Sequence, residues 1–454
     1  MKNGWAAFLG SITLVIMVVL SSPTVLAQES EDGGSVRLEI PPGAEAGPQF
    51  DVDTATEAYI NLLSEEQRAR SDSYMEGGYW LKLWGFLYGL AIAWLLLSSK
   101  ISARMRNISE RVGKWRPLHT FVYGIQYILI GTLLSFPLTV YQGFYREHAY
   151  NLATQSFGGW LGDQLTSLLV GLVLGSLALT VLYGVIRKVK NSWWVWGTGV
   201  SVLMLMFLTF IQPVYLNPLF NDYKALEDGP LRTSIMSMAR ANDIPGDDVY
   251  WFDASRQTTR ISANVSGFMG TTRISLNDNL LNRTSPEEIK AVMGHEMGHY
   301  VLNHGVKLIM EFGLLLAFGF AFVAWAFNGA VGRWGQNWDV RDVGDTAGLP
   351  LFAALLSIYF FAVTPVSNSI IRINEAEADN YALNVSGQAD GFARVAMRLS
   401  EYRKISPGSL EKFIFYDHPS GRERVYKSML WKSEHQGSSI AAKSGPVEAG
   451  RPDG

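Results

Sequence analysis

The 454-residue chain contains no cysteine, and only 17% of its residues are charged. Without cysteine there is no disulfide framework, thiolate metal cluster or thiol nucleophile, so any bound metal must be held by His, Asp or Glu side chains. The chain has only seven histidines, and its formal net charge is -3. Because this charge creates no overall basic field, nucleic acid is not expected as a partner.

Long apolar segments dominate the sequence instead. Hydrophobic residues make up 48% of the chain, and six stretches are each close to the ~20 residues that cross a ~30 Å hydrocarbon layer. These stretches are residues 83–99, 121–141, 165–186, 193–215, 306–327 and 349–366. Soluble helices are rarely apolar on all sides at this length. The pattern therefore predicts a mainly α-helical, multi-pass protein of a cell membrane or inner membrane, with the lipid bilayer as a partner.

The polar stretches divide the chain into segments. The apolar run at the N-terminus, followed by small residues up to Ala27, is typical of a secretory signal; if it is not cleaved it becomes a first span, so six to seven transmembrane helices are expected. The predicted order is a signal or first span (1–27), an extramembrane arm (28–78), a four-span region (79–215), a catalytic region (216–305), two spans with their loop (306–366), a third-ligand helix with a C-terminal element (367–435) and a disordered tail (436–454).

A clear helix start precedes the strongest motif of the chain. Ser285 as N-cap, Pro286 at the first helical position and Glu288 three residues after the cap form a capping box. The four-residue spacing of His295 and His299 places both imidazoles on one face of this helix, where they can bind a single cation. Zinc is the ion that this motif predicts.

A catalytic zinc site needs a third protein ligand and a general base. Glu296 lies about 100° round the helix from the first histidine and suits the base, because it can reach a zinc-activated water. Asn368, Arg372, Glu375 and Asp379 are spaced by four, three and four residues and so share one face of a second helix. We predict Glu375 as the third ligand and Asp379 as the acceptor that holds a ligand imidazole. Asn368 and Arg372 are expected to support them.

At these residues the chain resembles the integral-membrane zinc metallopeptidases of the CAAX prenyl endopeptidase type 1 family. The resemblance extends from about Tyr59 to Tyr426. It rests on residues 218–221 (PLFN), 226–229 (LEDG) and 295–299 (HEMGH), on His304, Asn368, Arg372, Glu375, Ala378 and Asp379, and on 418–419 (HP) with Arg424. The family implies a small α+β zinc metallopeptidase domain with one zinc ion, bound by the two motif histidines and Glu375, and Glu296 as catalytic base.

The resemblance also suggests how a substrate is held. It implies that His418 faces the substrate and polarises the scissile carbonyl or steadies its oxyanion; the structural alternative is a turn before a helix capped by Ser420. Where the family carries Asn-Ala-x-x-x-Gly, this chain has Ser-Ala-Asn-Val-Ser-Gly over 262–267, which makes Ser262 and Asn264 candidate substrate-binding residues. We further expect an extended substrate to pair with an exposed strand that begins at Arg273.

Three functions remain open at this point. The first is a zinc endopeptidase that cleaves membrane-associated polypeptides, as the resemblance implies. The second is a membrane quality-control protease of the same zinc class, which the replacement of Asn by Ser262 favours. The third, from a different class, is a non-catalytic membrane scaffold or transporter.

The last two spans are expected to continue into the metal-bearing helices. The residues between His299 and Val306 include no proline, so a single helix is predicted there, with the metal at the membrane boundary. Lys307 is expected to pair with Glu311 four residues later, and Glu377 is expected to lie on a solvated face.

The side of the membrane that carries the metal stays open. The basic loops at 100–116 and 187–190 predict a cytoplasmic location for one end of the spans, which puts the metal region outside. The eukaryotic members of the family are understood to cut on the cytosolic face.

Overall fold

The computed structural model of the protein describes residues 38–267 and 272–443. The predicted signal or first span (1–27) and the end of the predicted tail (444–454) lie outside the described residues. The helices are α1 (Val52–Ile60), α2 (Glu65–Ser98), α3 (Ile101–Glu110), α4 (Arg116–Val140), α5 (Arg146–Ala149), α6 (Phe157–Lys188), α7 (Trp193–Ile211), α8 (Pro230–Ala241), α9 (Asp278–Arg283), α10 (Pro286–Val301), α11 (His304–Trp338), α12 (Leu349–Ala362), α13 (Thr364–Ser386), α14 (Ala389–Leu399), α15 (Ser409–Phe415) and α16 (Gly421–Lys443). The strands are β1 (Tyr223–Ala225), β2 (Val249–Phe252), β3 (Ala263–Ser266) and β4 (Arg273–Asn277).

Within the described residues, five helices are long and apolar enough to cross a bilayer, and a bent pair makes a sixth span if it is counted as one. Each overlaps one predicted stretch. They are Glu65–Ser98, Arg116–Ala149, Phe157–Lys188, Trp193–Leu219, His304–Trp338 and the bent pair Thr346–Ala362 with Thr364–Ser386. Large apolar side chains, among them Leu133, Leu169 and Trp325, are exposed on these helices. Exposed surface of this kind is compatible with lipid and unfavourable in water.

Two helices extend beyond the boundaries that the sequence predicts. Helix α2 begins at a capping box made by Ser64 and Gln67 and continues without a break from the predicted arm into the span. Helix α16 continues to Lys443, so the prediction of disorder from residue 436 is wrong for its first eight residues.

The metal-motif helix α10 and the following span are separate helices. Helix α10 ends at Val301, and α11 begins at His304. Between them Asn303 adopts a left-handed conformation with φ 55°, which asparagine tolerates better than most residues because its short polar side chain bonds locally. The prediction of one continuous helix from His299 to Val306 is therefore wrong: the absence of proline permits a helix but does not prevent a left-handed residue from ending it.

The last span is bent just before the third-ligand helix. Helices α12 and α13 meet at Val363 with an angle of 59°. Pro365, in the first turn of α13, cannot donate a main-chain hydrogen bond back to α12, which accounts for a break at this position. Helix α13 then continues unbroken through Glu375 to Ser386.

The four-stranded sheet has the order β1-β2-β4-β3. Strand β4 pairs with β2 in parallel and with β3 antiparallel, so it is an internal strand. Its Ile274 and Leu276 are fully buried in one hydrophobic core with Met293 of α10. The prediction of an exposed strand beginning at Arg273 is thus wrong. Four residues are too few to distinguish an internal strand from an edge by alternation; the edge strands are β1 and β3.

Helices α10 and α13 approach closely because two glycines of α10 face α13. A Cβ at Gly294 would lie 3.2 Å from the main-chain oxygen of Ala382, and a Cβ at Gly298 would lie 3.1 Å from the Cβ of Tyr381. Both glycines alternate with the motif histidines along α10. Because glycine has no Cβ at these two positions, the His-bearing face of α10 comes within reach of Glu375 on α13.

Candidate metal and catalytic centre

The two motif histidines meet at their Nε2 atoms. The capping box of Ser285 and Glu288 fixes the start of α10, and the first-turn acidic residues complement the helix dipole. His295 Nε2 and His299 Nε2 are 3.1 Å apart. Both side chains are only partly exposed, at 15% and 25%.

Glu375 brings a carboxylate to the same point. Its Oε2 lies 3.3 Å from His295 Nε2, and its Oε1 lies 3.4 Å from His299 Nε2. The side chain of Glu375 is 7% exposed. Two imidazole nitrogens and one carboxylate, converging within 4.8 Å of one another, match the donor set of a catalytic zinc site with one position left for water. The residues present therefore fit a zinc ion.

Asp379 and Arg424 surround the ligand cluster. Asp379 Oδ1 lies 3.0 Å from His295 Nδ1, which is the nitrogen that faces away from the cluster. Arg424 donates from Nε to Asp379 Oδ2 at 2.9 Å and from Nη2 to Glu375 Oε2 at 3.3 Å. The side chains of Asp379, Glu375 and Arg424 are all buried. Arg424 thus neutralises part of the buried negative charge, and Asp379 lies against the outer nitrogen of His295.

His299 has a different partner on its outer nitrogen. Its Nδ1 lies 2.8 Å from Nδ1 of His304, and His304 Nε2 lies 3.0 Å from Glu377 Oε2. Lys307 Nζ also donates to Glu377 Oε2, at 2.9 Å. Glu377 therefore does not lie on a merely solvated face. Lys307 thus pairs with Glu377 rather than with Glu311, whose Oε2 accepts from Asn374 Nδ2 at 3.3 Å.

His418 lies beside the three candidate ligands, on the loop that follows α15. Its Nε2 is 3.2 Å from Glu375 Oε2, and its Nδ1 is 2.7 Å from Asp417 Oδ1. His418 is 3% exposed. Burial raises the pKa of Asp417, but the neighbouring His418 more than offsets this and holds that pKa below its ordinary value. Asp417 is therefore an ionised carboxylate that fixes the orientation of the imidazole.

Asn368 and Arg372 support this loop rather than the ligands themselves. Asn368 Nδ2 donates to the main-chain oxygen of Ile414 at 2.6 Å. Arg372 donates to the main-chain oxygens of Lys412, at 3.0 Å, and of Tyr416. These carbonyls belong to the last turn of α15 and the residue after it, where helices leave acceptors unpaired. The face of α13 that the sequence identified thus serves both Glu375 and the His418 loop.

Electrostatics at the cluster favour a cation. Burial would lower the pKa of His295, but its contacts with Asp379 and Glu375 raise that pKa to about 10. Positive charge is therefore strongly favoured between these carboxylates. Burial also raises the pKa of Glu296, a direction that suits a general base near neutral pH.

Glu296 lines a cleft together with two of the three candidate ligands, His295 and Glu375, and this cleft opens beside β3. The cleft encloses about 600 Å³, part of which is open to solvent. Its floor holds His295, Glu296, Glu375 and His418, and Arg403 reaches its wall. The remaining wall is largely apolar, formed by Ile261, Ala263, Ala291, Val292, Phe392, Val395, Ala396 and Leu399. The space suits a polypeptide segment with an apolar side chain.

The predicted substrate-binding residues separate into two groups. Ser262 lines the cleft, and Asn264 lies on the adjoining strand β3, where its Oδ1 accepts from Ser266 Oγ at 3.1 Å. Arg273 does not belong to the described lining of the cleft; its guanidinium lies 4.3 Å from the ring centres of both Tyr223 and Tyr250. Because β4 is internal, this side chain packs on the neighbouring strands.

Comparisons with known proteins identify the family. The model of peptidase family M48 matches residues 225–428, and that of the CAAX prenyl protease N-terminal region, with five membrane helices, matches 52–222. An uncharacterized metalloprotease, YhfN of Bacillus subtilis, is 31% identical over 346 residues, which cover 75% of this chain and 81% of the relative. The chain belongs to peptidase family M48.

More distant M48 relatives agree. CAAX prenyl protease 1 of Saccharomyces cerevisiae is 27% identical over 313 residues, covering 65% of this chain and 69% of the relative. The crystal structure of S. mikatae Ste24p has the same fold, with a TM-score of 0.69 at 20% identity over 94% of this chain and 97% of that one. This M48 peptidase is a multi-pass integral membrane metalloendopeptidase, so the predictions of family, fold class, membrane location and enzyme class are confirmed.

Two side chains at the centre carried no role in the sequence analysis. Asp417 directly precedes His418, and a carboxylate next to a candidate catalytic histidine is the one signal that could have drawn attention to it. Glu377 had no such signal. Its contact with His304 joins residues 73 positions apart, and it appears only once α11 and α13 are packed.

Proposed function

We propose that this M48 peptidase is a zinc-dependent endopeptidase that hydrolyses peptide bonds of membrane-associated polypeptides. His295, His299 and Glu375 hold the zinc ion in this proposal, and Glu296 is the catalytic base. The observation that carries the proposal is the convergence of His295 Nε2, His299 Nε2 and a Glu375 oxygen within 4.8 Å of one another. His295 and Glu375 line the same cleft as Glu296. Three donors at one point and a separate carboxylate beside them are the parts that metal-assisted hydrolysis needs.

The chain's own residues divide the chemistry among them. Zinc, when bound, supplies a Lewis acid that lowers the pKa of water and polarises a carbonyl. Glu296 accepts the proton of the attacking water and returns it to the leaving amine. His418, oriented by Asp417, contacts the carbonyl oxygen as negative charge develops there.

We propose that the substrate backbone adds to the edge strand β3. Asn277 N donates to Ser262 O at 2.8 Å, and bonded pairs alternate along an antiparallel ladder. The main-chain groups of Ala263 and Val265 therefore point to the side away from β4. Ala263 lines the cleft that holds Glu296, and an extended peptide in the cleft would pair with these main-chain groups in the manner of strand addition.

Val265→Pro is expected to lower kcat/KM about 3- to 10-fold, because it removes one main-chain donor worth roughly 0.5–1.5 kcal/mol. Proline is tolerated at an outward-facing position of an edge strand, so the fold should persist. Val265→Ala is the matched control: it shortens the side chain but keeps the N–H, and its kcat/KM should stay near that of wild type. Equal values for the two variants would exclude this use of β3.

The substrate class follows from the membrane setting. Helices α11 and α13, which contact each other and carry His304 and Glu375, belong to spanning segments, so the cleft lies close to the lipid boundary. The relative in Saccharomyces cerevisiae is named CAAX prenyl protease 1. On these grounds we propose a polypeptide anchored in or at the membrane, including a prenylated C-terminal segment, as the substrate.

The experiment for the whole proposal uses the full chain in liposomes with a membrane-anchored reporter peptide. We expect 1,10-phenanthroline to abolish cleavage and added Zn²⁺ to restore it, whereas the non-chelating 1,7-phenanthroline should have no effect. The same peptide without its anchor should be cleaved more slowly. Cleavage that survives complete metal removal would refute the zinc mechanism.

A further inference from the structure

The two histidines of the metal cluster are held in different ways. His295 has a carboxylate directly on its outer nitrogen, with Asp379 Oδ1 3.0 Å from Nδ1. His299 has an imidazole there instead, and the carboxylate of Glu377 lies one ring further out. The ring of His304, which lies between His299 and Glu377, is 1% exposed. Bulk water therefore does not reach it. The orientation of His299 therefore depends on His304.

The hydrogen-bond donors and acceptors along the row Glu377–His304–His299 allow only one tautomer of a neutral His304. The carboxylate of Glu377 can only accept, and Lys307 Nζ donates to the same oxygen, so His304 Nε2 must carry the hydrogen. A neutral imidazole then has a bare Nδ1, which can only accept. The hydrogen between the two rings must therefore sit on His299 Nδ1. This leaves the lone pair of His299 on Nε2, the atom that faces His295 and Glu375.

The helix break gives His304 its position. In an uninterrupted helix a residue five positions after His299 would lie about 140° away round the axis and could not meet its ring. The left-handed Asn303 ends α10 and restarts the chain as α11, and His304 is the first residue of the new helix. The left-handed residue that separates α10 from the span thus places the imidazole of His304 against His299.

Resting on the proposed zinc function, we propose that His304 and Glu377 are positioning residues that hold His299 in its metal-binding tautomer. Lys307 completes the row by pairing with Glu377. The row extends from a half-exposed carboxylate, 45% exposed, through a buried ring to the cluster. Partners of metal-bound histidines commonly contribute a factor of about 10–100 to metal affinity.

The alternative is that these contacts only tie α11 to α13. Lys307 and Glu377 are 36% and 45% exposed, and exposed pairs of this kind contribute little to stability. A purely structural tie would change thermal stability without changing the zinc dissociation constant of the folded protein. Zinc affinity therefore distinguishes the two roles.

The test measures the zinc dissociation constant of the full chain in detergent by competition with a chromophoric chelator. His304→Leu removes the acceptor for His299 Nδ1–H and should weaken zinc binding about 10- to 100-fold. His304→Asn, whose Oδ1 can stand near the position of Nδ1, should recover part of this loss. Glu377→Ala should weaken binding less than His304→Leu, because it acts through His304.

His119→Leu is the matched control, since His119 contacts Gly113 O at the start of α4, far along the chain from the cluster, and its zinc affinity should equal that of wild type. Zinc affinity of His304→Leu and Glu377→Ala within twofold of wild type would overturn the inference. If His304→Leu does not fold, the zinc affinities of His304→Asn and Glu377→Ala are measured instead. At least Glu377→Ala must then bind zinc more weakly than wild type. Affinities of both variants within twofold of wild type would overturn the inference. Failure of the wild-type chain itself to bind zinc would instead refute the proposed function.

Discussion

Glu296→Gln is expected to lower kcat for peptide hydrolysis about 10³-fold while the protein keeps its zinc, because a general base contributes roughly 10²–10⁴-fold. The amide has nearly the shape of the carboxylate but cannot accept a proton from water. Glu296 lines the cleft but does not belong to the cluster of three donors, so its replacement should leave the metal in place. The measurement is kcat for a membrane-anchored peptide together with zinc content per chain.

Glu287→Gln provides the control for that variant. Glu287 lies on the same helix, its side chain is 49% exposed, and its nearest ion-pair partner is Arg394 at 3.8 Å. The same substitution at Glu287 should leave kcat unchanged. A Glu296→Gln protein with a tenth or more of wild-type activity would remove Glu296 from the mechanism.

Glu375→Ala is expected to weaken zinc binding more than about 100-fold, beyond the loss typical of residues that merely support a ligand. The substitution removes the only carboxylate that reaches both motif histidines among the described residues. Arg424 keeps Asp379 as a partner, so the buried cation is not left alone and the fold should survive. Activity should disappear together with the metal.

A thermal melt reports the same loss independently of activity. A ligand that binds only the folded state stabilises it, so a chelator should lower the Tm of wild type and leave the Tm of Glu375→Ala unchanged. Glu434→Ala, an exposed position on α16, should respond to the chelator as wild type does. A Glu375→Ala protein that binds zinc with wild-type affinity would show that another residue is the third ligand.

The parts of the site that the sequence predicted are local ones. The start of α10 can be predicted from Ser285, Pro286 and Glu288, because capping acts within one helical turn. The spacing of His295 and His299 places two donors together for the same reason. Glu375 could be found because the 3.6-residue period puts the polar residues of α13 on one face.

The remaining parts depend on contacts between distant segments. The left-handed conformation of Asn303 is one of several open to asparagine, so the local sequence does not select it. Strand β4 is internal because β2 and β3 pair with it on both sides, a fact that five residues of sequence do not contain. The role of Glu377 follows from both, since its partners belong to the restarted helix.

X-ray absorption at the zinc edge of the purified full-length chain tests the central claim most directly. The account predicts one zinc per chain with two imidazole nitrogens at about 2.0–2.1 Å and oxygen ligands at about 2.0–2.2 Å, and the loss of this signal in Glu375→Ala. A chain without stoichiometric zinc, or a zinc site whose spectrum is unchanged in Glu375→Ala, would contradict it.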